Sequence, residues 1–268
     1  MAAHGQTLVG RGDRVFTTTQ MLPTGGAVRI YGITGEITIT EGSDGRVEYR
    51  AEKRPRRGSI EDIAFVVRSD ASGVTICAVF DDDDRCSEDG VRSGNRRGGW
   101  WNNRGSVAVT VQVPRGVRLR TSSGNGDVTV SAAVGELSAT SGNGDVRVSG
   151  AAGPVRASSG NGDVIIATTT GPVTASSGNG DIRVTMDKVE ATGDMDFSSG
   201  NGEVSITVPS DFAADLIATT GNGRIVTELP IQIEGTLSKQ RLRGTINGGG
   251  RRLRMSTGNG GVEIRRGR

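Results

Sequence analysis

Acidic residues recur at one fixed place in this chain. Asp127, Asp145, Asp163 and Asp181 each follow a Gly-Asn-Gly tripeptide directly, 18 residues apart, and Glu203 follows the next copy. Carboxylates in such a series suit three chemistries. Calcium binding is one, by analogy with nonapeptide rolls of pattern G-G-x-G-x-D. Paired acids of a β-helical polysaccharide lyase or hydrolase are a second. The third is structural: like charges stacked on turns, relieved by water, glycine amides and the arginines Arg147 and Arg183, which project from the same face two residues further on. Alternate nonapeptides such as 151–159 carry no acid, and a calcium cage needs about six to eight oxygens, so the structural reading leads. The enzymatic reading needs a cleft with convergent carboxylates and sugar-stacking aromatics, and aromatics are 3% of the chain.

His4 is the single histidine, which removes a Ser-His-Asp triad, a Cys-His pair and a multi-His metal site. No cofactor is expected. The 32 basic residues, all arginine except Lys53, Lys188 and Lys239, are nearly balanced by 30 acids, for a net charge of +2. Phosphate recognition needs clustered positive field and base stacking needs aromatics, so nucleic acid is not an expected partner. Two cysteines, Cys77 and Cys86, flank Asp81 to Asp84. They could be free thiols or a disulfide, and a disulfide would imply an oxidising compartment.

Three further features could bind. The segment 81–104 lacks apolar periodicity and carries Arg96, Arg97, Trp100 and Trp101, so it reads as an inserted loop that either contacts a partner or lends one tryptophan to the end of the core. Arg11-Gly12-Asp13 spells a cell-attachment tripeptide, although three residues recur by accident. Arg251, Arg252, Arg254, Arg265, Arg266 and Arg268 make the C-terminus basic, which suits either protection of a terminal sheet edge or attraction to an acidic envelope surface.

The elements that position these groups follow from composition and repetition. With 28 Val and 17 Ile against 9 Leu, the apolar residues favour strands. Gly-Asn-Gly begins at Gly124, Gly142, Gly160, Gly178, Gly200, Gly221 and Gly258, so the first three intervals are identical at 18 residues. Within a unit the apolar residues form two i, i+2 pairs, as in Val146/Val148 and Val155/Ala157, and alternation of this kind makes two short strands with an inward face. Gly-Asn-Gly supplies one turn through tolerance of positive φ, and Gly135, Gly153-Pro154 and Gly171-Pro172 supply the other.

An all-β, single-domain β-solenoid is the expected fold, right-handed with about 18 residues per coil. Successive coils would stack about 4.8 Å apart. An antiparallel β-meander with Asn-Gly hairpins is the alternative. In the solenoid, Asn125, Asn143, Asn161, Asn179, Asn201, Asn222 and Asn259 form a side-chain amide ladder. Residues 1–24 read as a tail or cap, 25–120 as degenerate coils around the 81–104 insertion, and 121–268 as the regular solenoid. A degenerate coil is expected around Ile231 to Arg243, since 37 residues separate Gly221 from Gly258.

The Ser-Gly-Asn-Gly-Asp-Val-x-Val units, preceded by strands such as Val28-Arg29-Ile30 and Gly35-Glu36-Ile37, resemble the bacterial putative-adhesin family of uncharacterised β-strand-repeat proteins over residues 25 to 266. The resemblance implies a β-solenoid on exported or membrane-anchored proteins, with no catalytic residues to carry over. The chain has no run of 18 apolar residues and no signal peptide, which could have been removed. The expected function is a non-enzymatic, envelope-associated rod that binds or scaffolds a protein or cell-envelope component as a monomer or weak self-associate. The lyase or hydrolase and a self-assembling filament are the alternatives.

Overall fold

The computed structural model describes residues 6–56, 59–92, 105–167, 170–189, 193–234 and 238–267. Among them the regular structure is β-strand, with one 3-10 turn at Ile60–Asp62 and no α-helix. Before the regular units lie β1 (Leu8–Val9), β2 (Val15–Met21), β3 (Ala27–Thr34), β4 (Ile37–Glu41) and β5 (Arg46–Pro55). They are followed by β6 (Ala64–Asp70), β7 (Gly73–Val79), β8 (Arg85–Ser87), β9 (Gly90–Arg92) and β10 (Gly105–Val113). The regular units supply β11 (Arg118–Asn125), β12 (Val128–Ser131), β13 (Glu136–Asn143), β14 (Val146–Ser149) and β15 (Val155–Asn161). They continue with β16 (Val164–Ala167), β17 (Val173–Asn179), β18 (Ile182–Thr185), β19 (Met195–Asn201) and β20 (Val204–Val208). Last come β21 (Ala214–Asn222), β22 (Ile225–Thr227), β23 (Ile231–Ile233), β24 (Arg241–Ile246), β25 (Arg251–Asn259) and β26 (Val262–Arg266).

Each coil gives one strand to each of two sheets. The 13-stranded sheet runs β1-β6-β7-β3-β11-β13-β15-β17-β19-β25-β21-β24-β23, and the 11-stranded sheet runs β2-β5-β10-β4-β12-β14-β16-β18-β20-β26-β22. Coil-to-coil pairing is parallel and in strict register, with Asn143 opposite Asn161 and Val146 opposite Val164. That is a β-solenoid and not an antiparallel meander.

Order along the rod departs from order in sequence at both ends. The last coil, β25 and β26, sits between β19/β20 and β21/β22. At the other end β7 and β10 lie outside β3 and β4. The coil nearest each chain terminus is therefore flanked on both sides. The outer edge passes to coils that carry antiparallel covers: β6 on β7, β5 on β10 and β24 on β21. These antiparallel strands interrupt the parallel register by which one coil stacks on the next, and β22 is left as a parallel outermost strand. The degenerate coil expected around Ile231 to Arg243 is instead such a cover: β23 and β24 pair antiparallel, with Ile231 opposite Ile246.

The two sheets bury the alternate residues of every strand against each other. Val146, Val164, Val173 and Ile182 are fully enclosed, and burial of a Val or Ile side chain contributes about 1.5–3 kcal/mol each. One file across the coils reads Ile30, Thr121, Ala139, Ala157, Ala175, Phe197 and Met255. Thr121 is buried there, and its Oγ1 has no hydrogen-bond partner.

A second, smaller cluster lies on the outer face of the 13-stranded sheet. Hairpin β8–β9 folds over it, and Tyr31, Ala64, Val66, Cys77, Val79 and Cys86 pack together beneath, flanked by Leu8 and Val91. The 81–104 segment is thus not a structureless loop throughout. Two strands of three residues carry their apolar signal in Cys86 and Val91 alone, too little for a period to emerge.

Candidate functional site

The repeated turn is where chemistry is expected, and its polar side chains bond to the turn of the neighbouring coil. Ser141, buried, donates from Oγ to the Gly126 carbonyl at 2.9 Å, and Ser159 does the same to Gly144 at 2.8 Å. Gly162 adopts φ of 151°, which only glycine takes readily. The first glycine of the tripeptide serves differently from the expected turn role: a Cβ on Gly160 would lie 2.5 Å from the Gly142 carbonyl oxygen one coil away. The asparagines do not take positive φ either; among the described residues Asn247 alone does so outside glycine. Close stacking, not turn geometry, selects these residues.

The amide groups form one file. Asn143 donates to Asn125, Asn161 to Asn143, Asn179 to Asn161 and Asn201 to Asn179, each from Nδ2 to Oδ1 at 2.7 Å. Asn259 then donates to Asn201, and Asn222 to Asn259, at the same distance. The acids run beside them. Asp127 Oδ1 accepts from the Asp145 backbone N–H at 2.9 Å, and Asp145, Asp163 and Asp181 accept likewise from Asp163, Asp181 and Glu203 at 2.8 Å.

Their second oxygens meet guanidinium. Arg147 bridges Asp127 at 3.1 Å and Asp145 at 2.5 Å, and Arg183 repeats this with Asp163 and Asp181 at the same distances. The register position of Arg147 reads Thr129, Arg147, Ile165, Arg183 along the rod. One fork spans two rungs, so an arginine is needed only in alternate coils. The carboxylate oxygens that a calcium ion would need at Asp127, Asp145, Asp163 and Asp181 are already accepting these bonds. Among the described residues, no cluster of three or more His, Cys, Asp or Glu side chains is placed to hold a metal.

Cys77 and Cys86 form a disulfide with Cα atoms 5.9 Å apart, tying hairpin β8–β9 to β7. Trp100, Trp101, Arg96 and Arg97 lie outside the described residues. Arg11 of the Arg-Gly-Asp tripeptide pairs with Asp82. The C-terminal arginines do not guard an edge, because β25 and β26 are interior strands. Three make local contacts instead: Arg265 with Glu263 at 2.6 Å, which holds that carboxyl below its ordinary pKa, Arg252 with Asp194 at 3.8 Å, and Arg251 over the Phe212 ring at 5.2 Å, while Arg268 lies outside the described residues. The aromatic side chains Phe16, Tyr49 and Phe65 pack on one another in the N-terminal cover, away from the acidic file.

Two groups escape the sequence reading. Lys53 is fully buried under that cover, donating to the Gly10 and Ile60 carbonyls, and burial lowers its pKa against the opposing pull of Asp13. On the outer face of the 13-stranded sheet, Arg29, Arg118 and Arg120 surround a cavity of about 210 Å³ that Glu88, Asp89 and Glu136 also line. Outward alternation of Arg118 and Arg120 was visible in the sequence; that Arg29 joins them from 89 residues upstream of Arg118 depends on the parallel pairing of β3 with β11.

Parallel coils held by asparagine, serine and aspartate files place the molecule among the β-solenoids. The chain belongs to the Toastrack DUF4097 family, whose model matches residues 98–265. Solved structures similar to it include a putative cell adhesion protein from Clostridium sporogenes, with 10% identity and a TM-score of 0.40 over 94% of this chain and 100% of that one. A putative adhesin from Bacteroides fragilis has 13% identity and a TM-score of 0.40, covering 94% and 98%. One from Parabacteroides distasonis has 9% identity and a TM-score of 0.34, covering 95% and 98%. None of the curated proteins matches the chain. Among the described residues no helix is long and apolar enough to cross a membrane.

Proposed function

We propose that this protein is a non-enzymatic, envelope-associated rod that binds or scaffolds a cell-envelope component. The carrying observation is that the repeated polar groups bond to one another: the amides, hydroxyls and carboxylates of the turns hold coil to coil. An acid whose two oxygens accept a backbone N–H and a guanidinium is poorly placed to shuttle a proton. The Cys77–Cys86 bridge suits an oxidising, extracytoplasmic compartment. The names of the similar bacterial structures point the same way.

Cosedimentation with isolated envelope fragments, run together with an assay for released sugar, tests the reading. The oxidised protein should pellet with the fragments and release nothing. Liberation of reducing or unsaturated sugar ends would overturn the non-enzymatic part, and protein left in the supernatant would overturn the binding part.

One observation favours a second reading, end-to-end self-association. The large apolar side chains exposed among the described residues, Val15, Met21, Val226 and Ile233, all lie on outermost strands of the two sheets. Light scattering at varied ionic strength separates a monomeric rod from such a filament.

A further inference from the structure

The outer face of the 13-stranded sheet carries a cluster of arginines that the repeats do not need for stacking, faced by Glu88 and Asp89 of hairpin β8–β9 and with Glu136 in register beside Arg118. Arg120 pairs in register with Arg29 on one side and with Ser138 on the other, and Ser138 pairs with Arg156. Guanidinium groups therefore project at Arg29, Arg120 and Arg156 along one file, with Arg118 beside Arg120 on the same face of β11. Arg120 and Arg156 lie two rungs apart, on the order of 10 Å.

The protein supplies its own stand-in for a ligand there. The tip of hairpin β8–β9 places Glu88 Oε2 at 3.2 Å from Arg29 and Asp89 Oδ1 at 3.5 Å from Arg120. The hairpin is held in place by the disulfide and by Tyr31, whose hydroxyl donates to the Glu88 carbonyl at 2.6 Å. Asp89 is 79% exposed and Arg120 53%, and an ion pair so exposed contributes at most about 1 kcal/mol, so the Asp89 side chain can yield Arg120 without the hairpin moving. Arg29 is only 14% exposed, and Glu88 also accepts from Ser72 Oγ at 2.8 Å, so that pair is the firmer of the two. Arg118 turns to the Gly25 carbonyl at 2.8 Å.

Beside the arginine file runs a file of hydroxyls, Ser122, Thr140, Ser158 and Ser176, in register on successive strands. Next to that come Gly142, Gly160 and Gly178, which have no side chain to obstruct an extended chain lying across the coils. Thr140 and Ser158 share a hydrogen bond at 3.2 Å, and each hydroxyl keeps a further lone pair toward solvent. Guanidinium groups flanked by repeated hydroxyls suit a linear polymer carrying both carboxylates and hydroxyls.

We propose that the face bearing Arg29, Arg118, Arg120 and Arg156 binds an acidic polysaccharide, a uronic-acid polymer, with Glu88 and Asp89 occupying the arginines until it arrives. This deepens the envelope-binding reading and rests on it, by naming the surface and the chemical class of the partner. Arginine forks suit carboxylates through paired N–H donors, and a file of them gains by multivalency.

Alginate oligomers are a suitable probe, titrated against the oxidised full chain at low salt and again at about 0.15 M, where exposed pairs are screened. The native protein should bind, more weakly in salt. Replacing Arg118, Arg120 and Arg156 together by Ser should weaken binding at least about tenfold, equivalent to one or more lost charge-assisted contacts. Glu88→Gln with Asp89→Asn should strengthen it about threefold, as tip competition is removed. Arg183→Gln, on the opposite sheet, should leave it within about twofold.

No binding of alginate by the native chain, or equal loss from Arg183→Gln, overturns the proposal. So does an unchanged affinity in the Glu88/Asp89 variant, which keeps the test decisive even if the triple variant folds poorly. Polyphosphate bound as tightly as alginate would mean that the face reads charge alone, and the uronate partner falls. If alginate fails while the protein still pellets with envelope fragments, only this inference is lost; failure of both removes the envelope reading too.

Discussion

Asn259 is the last asparagine of the ladder in sequence but not in space, and this makes the stacking order measurable. It donates to Asn201 and accepts from Asn222, both at 2.7 Å, whereas Asn222 makes only the bond to Asn259 within the file. A net hydrogen bond contributes about 0.5–1.5 kcal/mol, and these amides are exposed, so the lower half of that range applies. Asn259→Ala should then cost about 1–2 kcal/mol and Asn222→Ala about half as much. The double-mutant cycle is sharper. Asn201 and Asn259 are in contact and should couple by about 0.5–1 kcal/mol, while Asn201 and Asn222, two rungs or about 10 Å apart, should be additive within about 0.3 kcal/mol. Urea unfolding followed by far-ultraviolet circular dichroism supplies the free energies, with the slope checked in each variant because stacked coils can unfold in parts. Coupling of Asn201 to Asn222 as large as its coupling to Asn259 would show coils stacked in chain order and refute the interior position of β25 and β26.

Thr121→Val should stabilise the protein by about 1–2 kcal/mol in the same urea assay, since it replaces a buried hydroxyl lacking a partner by a methyl of equal size; a loss would mean that the hydroxyl is bonded. Gly162→Ala should cost more than about 2 kcal/mol, because its Cβ would stand 2.3 Å from the Gly144 oxygen at a φ that side chains avoid, and a melting temperature within a degree of the native one would refute close stacking as the reason for glycine. Reducing Cys77–Cys86 should free hairpin β8–β9 and let water reach Tyr31. Burial holds the Tyr31 phenol above its ordinary pKa of 10.0, partly offset by Arg120. Ultraviolet titration should therefore show one phenol moving down toward that value on reduction, and no movement would place the hairpin's hold elsewhere.

The regular part of the rod was legible because its cause is local and repeated. Ser-Gly-Asn-Gly-Asp recurs at 18 residues since each turn meets the same turn in the next coil, Asn on Asn, Asp on Asp and Ser on a glycine carbonyl, so each coil faces the same constraint. The same logic explains what was not legible. Placement of β25 and β26 between earlier and later coils leaves the turn motif unchanged, because Asn259 finds an asparagine on either side wherever it inserts. Strands β8, β9 and β23 have three residues with one or two apolar positions, below the length at which alternation can be recognised, and the six residues of β24 carry only Leu242 and Ile246, four apart, which is no i, i+2 pair. The Arg29, Arg118 and Arg120 cluster depends on pairing between distant strands, so its members are scattered in the sequence.

The position of the final coil also constrains how the protein can be made. Until residues 251–266 leave the ribosome, β19 and β20 have no neighbour on their far side, and β21 and β22 have nothing parallel to lean on. Residues 251–266 are therefore a keystone: that end of the arch cannot close before they arrive, and their removal parts β21 and β22 from the parallel stack. Gene duplication meets the mirror image of this restriction. Units can be gained or lost within 121–208, where each coil follows its predecessor, whereas a unit added between β22 and β25 would have to displace one side of the inserted coil.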